Sequence, residues 1–343
     1  MAEESIRLME VCGTHTMAIA KAGIRQMLPE GIQLLSGPGC PVCVTPPGVI
    51  DALLELARRL GLTLATYGDM IRVPGSKRGT SLAYEKAAGA DVRIVYSAMD
   101  AVDLAEREPD REVVFAGVGF ETTAPGTAAA IKEAARRQLK NFSVWSMIKL
   151  LEPSVKALAA DPDFAINGFL APGHVAVIIG EEGMRFFPDD LHLPAVITGF
   201  EPEEVARGIT HLLRQVRAGE VRLENEYKAV VRPEGNPAAR ALMDEIFEKR
   251  TDDWRGLGVI PASGLGIREE YAAWDAEKKF GIKAENVPVR TACRCGDVIR
   301  GKLDPAACPL FGRVCTPEDP EGPCMVSSEG ACAAAYKYRG IYD

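Results

Sequence analysis

Nine cysteines are the residues of this 343-residue chain whose spacing points most directly to chemistry. Three lie early, at Cys12, Cys40 and Cys43. Six more lie in the tail: Cys293, Cys295, Cys308, Cys315, Cys324 and Cys332. The start of the chain, MAEESIRLME, lacks the pattern of a signal peptide, so we expect a cytoplasmic protein whose clustered thiols serve metals or redox chemistry. The two groups predict one site in the body of the protein and another in a C-terminal module.

Both early cysteine motifs follow a predicted strand and precede a predicted helix. In the motif CGTHT, Cys12 lies at a helix N-terminus, where the aligned peptide dipoles are expected to lower a thiol pKa, and His15 follows. In GPGCPVC, the spacing of Cys40 and Cys43 is typical of a redox dithiol or of half a metal site. Taken together, the four side chains also suit structural zinc, which is the alternative interpretation.

Two further loops carry polar residues after predicted strands. The segment GVGFETT presents backbone N–H groups to an anion, and its Glu121 is a candidate proton carrier or helix cap beside Thr122. His174, in APGHV, is a candidate acid, base or hydrogen-bond donor, or a structural histidine. In the loop TYGDMIRVPGS, Asp69 and Arg72 are spaced to pair with each other.

The tail cysteines favour an iron–sulfur cluster. Four thiolates suffice for a [4Fe–4S] cluster and six leave two over, while the segment contains no histidine and has short Gly- and Pro-rich connections. A zinc ion with four cysteine ligands is the alternative. A Cys-x₃-Cys-x₂-Cys run is absent from the sequence, which excludes radical-SAM chemistry of the usual kind.

The elements that must position these residues follow from the apolar pattern. Hydrophobic residues make up 47% of the chain. The net charge of −8 argues against a nucleic-acid binder. No apolar run is long enough for a membrane span. Val-, Ile- and Leu-rich runs alternate with helical patterns, which predicts parallel sheets covered on both faces. Strands are predicted over 6–11, 32–36, 164–170, 194–200 and 227–231, and helices over 16–28, 47–61, 203–219 and 236–250.

The predicted fold class is therefore α/β, with two parallel-sheet α/β lobes around a central cleft and a small Cys-rich iron–sulfur module. We expect the first lobe over 1–135, the second over 136–250 and the C-terminal module over 251–343. Loops after the carboxyl ends of parallel strands are where ligands bind, so the motifs should meet in the cleft.

Five motifs in this order resemble the HypD family of [NiFe]-hydrogenase maturation proteins. They are EVCGTHT, GPGCPVC, GFETTAPGTA, APGHVAVIIG and the tail CRCGDVIRGKLDPAACPLFGRVCTPEDPEGPCMVSSEGACAAAY. The resemblance runs from about residue 9 to the C-terminus. One position departs from it, because Met17 stands where the family often has a second histidine in its first motif.

The resemblance implies a scaffold rather than a conventional enzyme. Such proteins act with the small chaperone HypC to assemble the Fe(CN)₂CO unit destined for the hydrogenase large subunit, with cyanide arriving through HypE and, upstream, HypF. Cys12 would bind the iron jointly with a cysteine of HypC, and Cys40 with Cys43 would form a redox dithiol. Thr122, Thr123 and the two motif histidines could donate hydrogen bonds to the cyanide nitrogens. Neither nucleic acid nor membrane is an implied partner.

For the tail, the resemblance extends to the cluster environment of ferredoxin:thioredoxin reductase. It implies a [4Fe–4S] cluster with these ligands: Cys293, Cys308, Cys315 and Cys332. Cys295 and Cys324 would form a second redox pair, although Cys293 and Cys295 could exchange roles. A rival hypothesis is a stand-alone thiol–disulfide oxidoreductase in which Cys40 and Cys43 reduce a protein target.

Overall fold

A computed structural model describes residues 5–285, 287 and 292–338 of the chain. In chain order the strands are β1 (Ile6–Glu10), β2 (Ile32–Ser36), β3 (Leu62–Thr66), β4 (Asp91–Ile94), β5 (Glu112–Gly119), β6 (Phe142–Ile148), β7 (Gly168–Pro172), β8 (Ala195–Thr198), β9 (Leu223–Asn225), β10 (Phe247–Trp254) and β11 (Gly258–Ile267). The predicted α/β class with parallel sheets and a Cys-rich C-terminal region is confirmed.

Helices connect the strands and cover the sheets. The α-helices are α1 (Gly13–Lys21), α2 (Pro41–Val44), α3 (Pro47–Ala57), α4 (Leu82–Ala87), α5 (Ala98–Arg107), α6 (Ala124–Arg136), α7 (Leu151–Ala159), α8 (Gly173–Ile179), α9 (Phe186–Asp189), α10 (Pro202–Ala218), α11 (Pro237–Ile246), α12 (Ala276–Phe280), α13 (Cys295–Ile299) and α14 (Ala331–Lys337). Short 3-10 helices lie at Ile24–Met27, Gly68–Met70, Glu182–Met184, Glu269–Trp274, Pro305–Ala307 and Pro323–Met325. Within the described ranges, every helix is too short or too polar to cross a bilayer.

Two parallel sheets and one antiparallel hairpin form the framework. The first sheet has the strand order β2-β1-β7-β8-β9, the second has β4-β3-β5-β6, and β10 pairs with β11. Every residue of β3 and of β6 is buried, as expected where helices cover both faces of a parallel sheet. Tight packing of these strands gives a rigid edge from which loops can project.

The sheets do not follow the predicted division at residue 135. β1 and β2 belong with β7, β8 and β9, while β6, which lies beyond residue 135, pairs with β5. The predicted limit at residue 250 likewise falls inside β10. Parallel strands are joined by long crossovers, so an apolar pattern identifies a strand without revealing which sheet receives it.

Several predicted elements differ from the structure in their limits or type. The helix predicted over 16–28 spans Gly13–Lys21 instead, because Gly23 adopts φ 64° and begins a separate 3-10 turn. The strand predicted over 164–170 begins only at β7. The segment predicted as a strand over 227–231 is a turn, since the N–H groups of Val230 and Val231 both bond to the carbonyl of Tyr227. The helix predicted over 236–250 ends at Ile246, where β10 begins.

Candidate functional site

A cavity of about 310 Å³ lies where the carboxyl ends of the two parallel sheets face each other. Its walls include Cys12 after β1, Gly39 after β2, Gly68 after β3, Thr122 after β5 and His174 after β7. In the first sheet β1 lies between β2 and β7, and in the second β3 lies between β4 and β5, so each sheet reverses its strand order at the cavity. Such switch points are where open α/β sheets bind ligands.

Cys12 is the N-cap residue of α1 and is 8% exposed. The buried Glu10 carboxylate holds its loop, because one oxygen accepts from the Cys12 backbone N–H at 3.0 Å and the other from the Thr16 hydroxyl at 2.6 Å. Burial raises the pKa of Glu10 to about 7. Glu10 was not among the predicted site residues, although a charged residue that ends an apolar strand was visible in the sequence.

The expectation of a lowered thiol pKa at Cys12 is wrong. Burial raises the pKa of Cys12 to about 12, with the nearby carboxyls of Glu329 and Glu10 adding to the effect. Desolvation of a thiolate here outweighs the partial charge of the helix N-terminus. The sulfur is therefore protonated at neutral pH, and a bound metal ion would have to displace the proton.

The second cysteine motif, GPGCPVC, packs directly against the first, CGTHT. The Gly13 N–H donates to the Gly39 carbonyl at 3.1 Å, and a β-carbon on Gly39 would lie 2.2 Å from the backbone nitrogen of Cys12. Only glycine allows this approach, which places the next residue, Cys40, beside the Cys12 loop. Cys40 forms a disulfide with Cys43, and the two are 5% and 2% exposed.

The rings of His15 and His174 both pack against the ring of Phe200. The ring centroids are 4.7 Å and 3.9 Å from that of Phe200, respectively. His15 is fully buried outside the cavity lining, and its Nε2 donates to the Gly199 carbonyl at 2.9 Å, while burial lowers its pKa to about 4. His174 lines the cavity, and partial burial lowers its pKa. Both rings are therefore neutral at pH 7.

Glu121 and Thr122 are neighbours in sequence that face different spaces. Thr122 lines the Cys12 cavity, whereas Glu121 lines a second cavity of about 470 Å³. Glu121 accepts from the Leu151 N–H at 2.9 Å through Oε1, and its buried Oε2 has no hydrogen-bond partner within the described part of the chain. Burial raises the pKa of Glu121 to about 7. Glu121 therefore does not join Cys12 in the central cavity, contrary to expectation.

Residues of the tail close one side of the cavity. Glu329 lines it and accepts from the Thr14 hydroxyl at 2.7 Å, and Ser327 donates to Asp69 at 2.8 Å. The expected pairing of Asp69 with Arg72 is wrong, because Arg72 instead donates to the Pro317 carbonyl. Sequence reasoning missed Glu329, and its position three residues before the last cysteine was the available signal.

The tail cysteines gather beside this closing segment and form no disulfide among the described residues. Cys295 is in hydrogen-bonding contact with Cys293 and Cys324, and Cys332 lies within electrostatic range of Cys308 and Cys315. The contact with Cys293 holds the pKa of Cys295 well below its usual range, and the contact with Cys295 raises that of Cys324. Since Cys295 touches both neighbours, the split between cluster ligands and redox pair stays a prediction.

The spacing of the tail sulfurs does not suit a single metal ion. A tetrahedral zinc site with Zn–S bonds of about 2.3 Å places its sulfurs about 3.8 Å apart. In the part of the chain that the structure describes, the only three-donor group within 4.8 Å is His211, Glu224 and Glu226, which includes no cysteine. No three tail sulfurs in the described part of the chain lie that close together.

Zinc at the two early motifs is also disfavoured. It would need Cys12, His15, Cys40 and Cys43 to converge on one ion. The last two are joined in a disulfide, and the histidine nitrogen that donates a hydrogen bond is directed at Gly199. The structure thus leaves Cys12 as a single free thiol in the cavity.

Comparison with known proteins places the chain in a family. The model of the family described as "HypD: Hydrogenase formation hypA family" matches residues 1–339. The Hydrogenase maturation factor HypD of Rhizobium leguminosarum bv. viciae is 48% identical over 341 residues, which is 97% of this chain and 88% of that protein. The protein of the same name from Escherichia coli (strain K12) is 47% identical over 339 residues, covering 98% of this chain and 90% of its own. The chain belongs to the HypD family.

Proposed function

We propose that this protein is a maturation factor for [NiFe]-hydrogenase that holds the iron of the Fe(CN)₂CO unit during its assembly. By similarity to its family, it works in the cytoplasm with HypC, receives cyanide through HypE and HypF, and passes the iron unit toward the hydrogenase large subunit. It serves as a scaffold with thiol redox activity rather than as a conventional enzyme.

The observation that carries the proposal is the isolation of the Cys12 thiol in the central cavity. Thiolate is a soft ligand, which suits iron that carries carbon monoxide and cyanide. A volume of about 310 Å³ lies at the lower end of the range for small-molecule sites, so the cavity fits a compact metal unit. Binding the iron would release the Cys12 proton, since burial keeps the free thiol protonated.

Hydrogen-bond donors around the cavity would donate to the cyanide nitrogens. The hydroxyl of Thr122 lines the cavity, and the neutral ring of His174 carries one N–H. Thr123 also lines it, but its hydroxyl donates to the Phe120 carbonyl at 3.1 Å. His15 lies outside the cavity lining and supports the site by donating a hydrogen bond to the Gly199 carbonyl. Because HypC is proposed to contribute a second cysteine, the open side of the cavity must remain accessible to it.

The tail is proposed to hold a [4Fe–4S] cluster, with the ligands Cys293, Cys308, Cys315 and Cys332. Its donor set is sulfur alone, its cysteines form no disulfide among the described residues, and their spacing exceeds that of a single-ion site. When bound, such a cluster supplies and accepts one electron at a time. Cys295 and Cys324, which are in contact, would form the second dithiol, and Cys40 with Cys43 the first.

The rival function, reduction of a protein target by Cys40 and Cys43, is less well supported. An oxidoreductase of that kind needs an attacking sulfur that its target can reach. Here both sulfurs are buried beneath the Cys12 loop. This placement suits exchange of electrons within the site rather than with a separate protein.

The test replaces Cys12 with serine in the full chain and measures hydrogenase activity in cells that lack their own copy. Complete loss of activity is expected, because a serine oxygen is a poor ligand for low-spin iron. Met17→Leu is the matched control, since it removes a sulfur from the same helix outside the cavity lining at nearly constant volume. Wild-type activity in Cys12→Ser cells would contradict the proposal.

A further inference from the structure

Arg255 is a buried cation that the proposed function has not used. It lies in the turn between β10 and β11 and is 6% exposed. Its Nε and Nη1 atoms are buried without a hydrogen-bond partner among the described residues. Arg250, on the same hairpin, has Glu277 and Asp252 as carboxylate partners. A buried guanidinium with idle N–H groups is costly unless an anion compensates it, so its partner has to be sought nearby.

Sulfur atoms of the tail lie beside this cation. The side chain of Arg255 is in hydrogen-bonding contact with Cys295 and lies within electrostatic range of Cys293. The Nε and Nη1 donors nevertheless remain without a partner among the described residues. Guanidinium groups present their donors in a fixed planar fork, so a sulfur-containing group adjacent to Cys295 could receive the unused ones.

Backbone contacts with α2 and with the start of α13 hold the turn that carries Arg255 in place. The backbone N–H of Arg255 donates at 2.8 Å to the carbonyl of Val44, the last residue of the disulfide-bearing helix α2. The next residue, Gly256, has φ +84°, and a β-carbon there would lie 2.7 Å from the Cα of Gly296. The turn that carries Arg255 therefore packs between α2 and the start of α13, and the Arg255 side chain has little room to move.

We propose that Arg255 is the fixed counter-charge of the tail's iron–sulfur site, where it donates hydrogen bonds to cluster sulfur and raises the cluster's reduction potential. This inference rests on the proposed function, since it requires the tail to hold a cluster. Arg255 acts as a positioning residue and is not a ligand. Arg255 lies outside all five sequence motifs, so the motif pattern gives no signal for it.

The physical reason is electrostatic. One electron taken from an external reductant adds one negative charge to a four-thiolate cluster, with no bond formed and no proton required. A cation held nearby, in an environment with little water, stabilises the reduced state more than the oxidised one. Hydrogen bonds to cluster sulfur act in the same direction, and both contributions are recognised controls of cluster potential.

The test uses the full chain, purified without oxygen and loaded with iron and sulfide. A titration with dithionite, followed by electron paramagnetic resonance, gives the midpoint potential of wild type, Arg255→Gln and Arg255→Lys. For Arg255→Gln we expect the reduction equilibrium to weaken about tenfold, a shift of about 59 mV to more negative potential for one electron. For Arg255→Lys, which keeps the charge but loses the fork, we expect a smaller shift with an altered spectrum.

Arg300→Gln is the matched control. It removes the same charge from the same module, but that guanidinium is already paired with Asp297 at 2.6 Å. A wild-type midpoint in Arg255→Gln would overturn the inference. Should this variant fail to load, Arg255→Lys decides, and a wild-type midpoint and spectrum there would equally overturn it. A wild-type chain that binds no iron and sulfide would instead defeat the proposed cluster, which is a separate result.

Discussion

The Cys12 cavity and the cysteine-rich tail organise sulfur in different ways. The Cys12 thiol lines the cavity and the Cys40–Cys43 disulfide lies beside it, both at the ends of parallel strands, where sheet pairing and the buried Glu10 carboxylate fix the backbone. In the tail, six thiols lie on short helices and turns, whose places depend on side-chain contacts with the lobes. The cavity should therefore be sensitive to changes in backbone packing, and the tail to changes in its contacts and in metal.

The largest effect is expected from adding a methyl group to the backbone of the cavity. The β-carbon of Gly39→Ala would clash with the backbone of Cys12, which cannot rotate away. We expect a loss of about 3 kcal/mol in the free energy of unfolding, measured with urea. Gly126→Ala, in α6 with nothing within 4 Å of its β-carbon, should instead gain up to about 1 kcal/mol. Equal stability of Gly39→Ala and wild type would contradict the close contact.

The next effect concerns Glu121, which lies in the wall between two cavities. Because burial raises its pKa from 4.5 to about 7, the folded state binds more protons than the unfolded state between these values. Its contribution to stability is therefore greatest below pH 4.5 and is lost as the pH rises through 7. Glu121→Gln should be more stable than wild type at pH 8, by on the order of 2 kcal/mol, and should lose that part of the pH dependence.

Urea unfolding at pH 5 and pH 8 measures this difference. Glu55→Gln is the control, since that carboxylate is exposed and paired with Arg59 at 3.3 Å. The same pH dependence in Glu121→Gln and wild type would show that the buried carboxyl does not change its protonation on unfolding.

A smaller effect is expected where the tail attaches to the second sheet. Asp69 accepts from the Ser327 hydroxyl at 2.8 Å and from the Ser328 N–H at 3.2 Å. Asp69→Asn should weaken these bonds by about 1–2 kcal/mol and speed amide hydrogen exchange in α14 while leaving the strands protected. Asp103→Asn on α5, which breaks an ion pair with Arg137, is the control. Unchanged exchange in α14 would mean that other contacts hold the tail.

The smallest effect is expected from the exposed ion pairs of the same region. Arg78 pairs with Asp319 at 3.1 Å and with Glu321 at 3.3 Å, but the first pair is open to solvent on both sides. Arg78→Met should change the free energy of unfolding by less than about 1 kcal/mol. A larger loss than that of Asp69→Asn would reverse this ranking of tail contacts.

Local patterns in the sequence predicted much of the fold. The strand expected over 32–36 is β2 with the same limits, and the helix over 203–219 is α10 within one residue at each end. The end of the helix over 236–250 could not be predicted, because the strand Phe247–Trp254 contains helix-forming Glu, Lys and Arg and exists through long-range pairing with β11. The order of the strands in each sheet could not be predicted either, because it also depends on long-range pairing.

The candidate site was predicted in part. Residues at strand ends, such as Cys12 and His174, meet in one cavity because parallel sheets bring carboxyl ends together. Glu121 faces another cavity because side chains of successive residues point in different directions, which no motif reveals. Glu10 and Glu329 act through contacts formed only in the folded chain. The raised pKa of Cys12 also depends on burial, which the helix position alone did not indicate.

Infrared spectroscopy of the anaerobically purified full chain tests the central claim most directly. Carbon monoxide and cyanide bound to iron absorb in a window free of protein bands. The account predicts one carbon monoxide band and two cyanide bands in the wild type and in Met17→Leu, and none in Cys12→Ser. Bands of equal intensity in Cys12→Ser, with the sheets intact by circular dichroism, would contradict it.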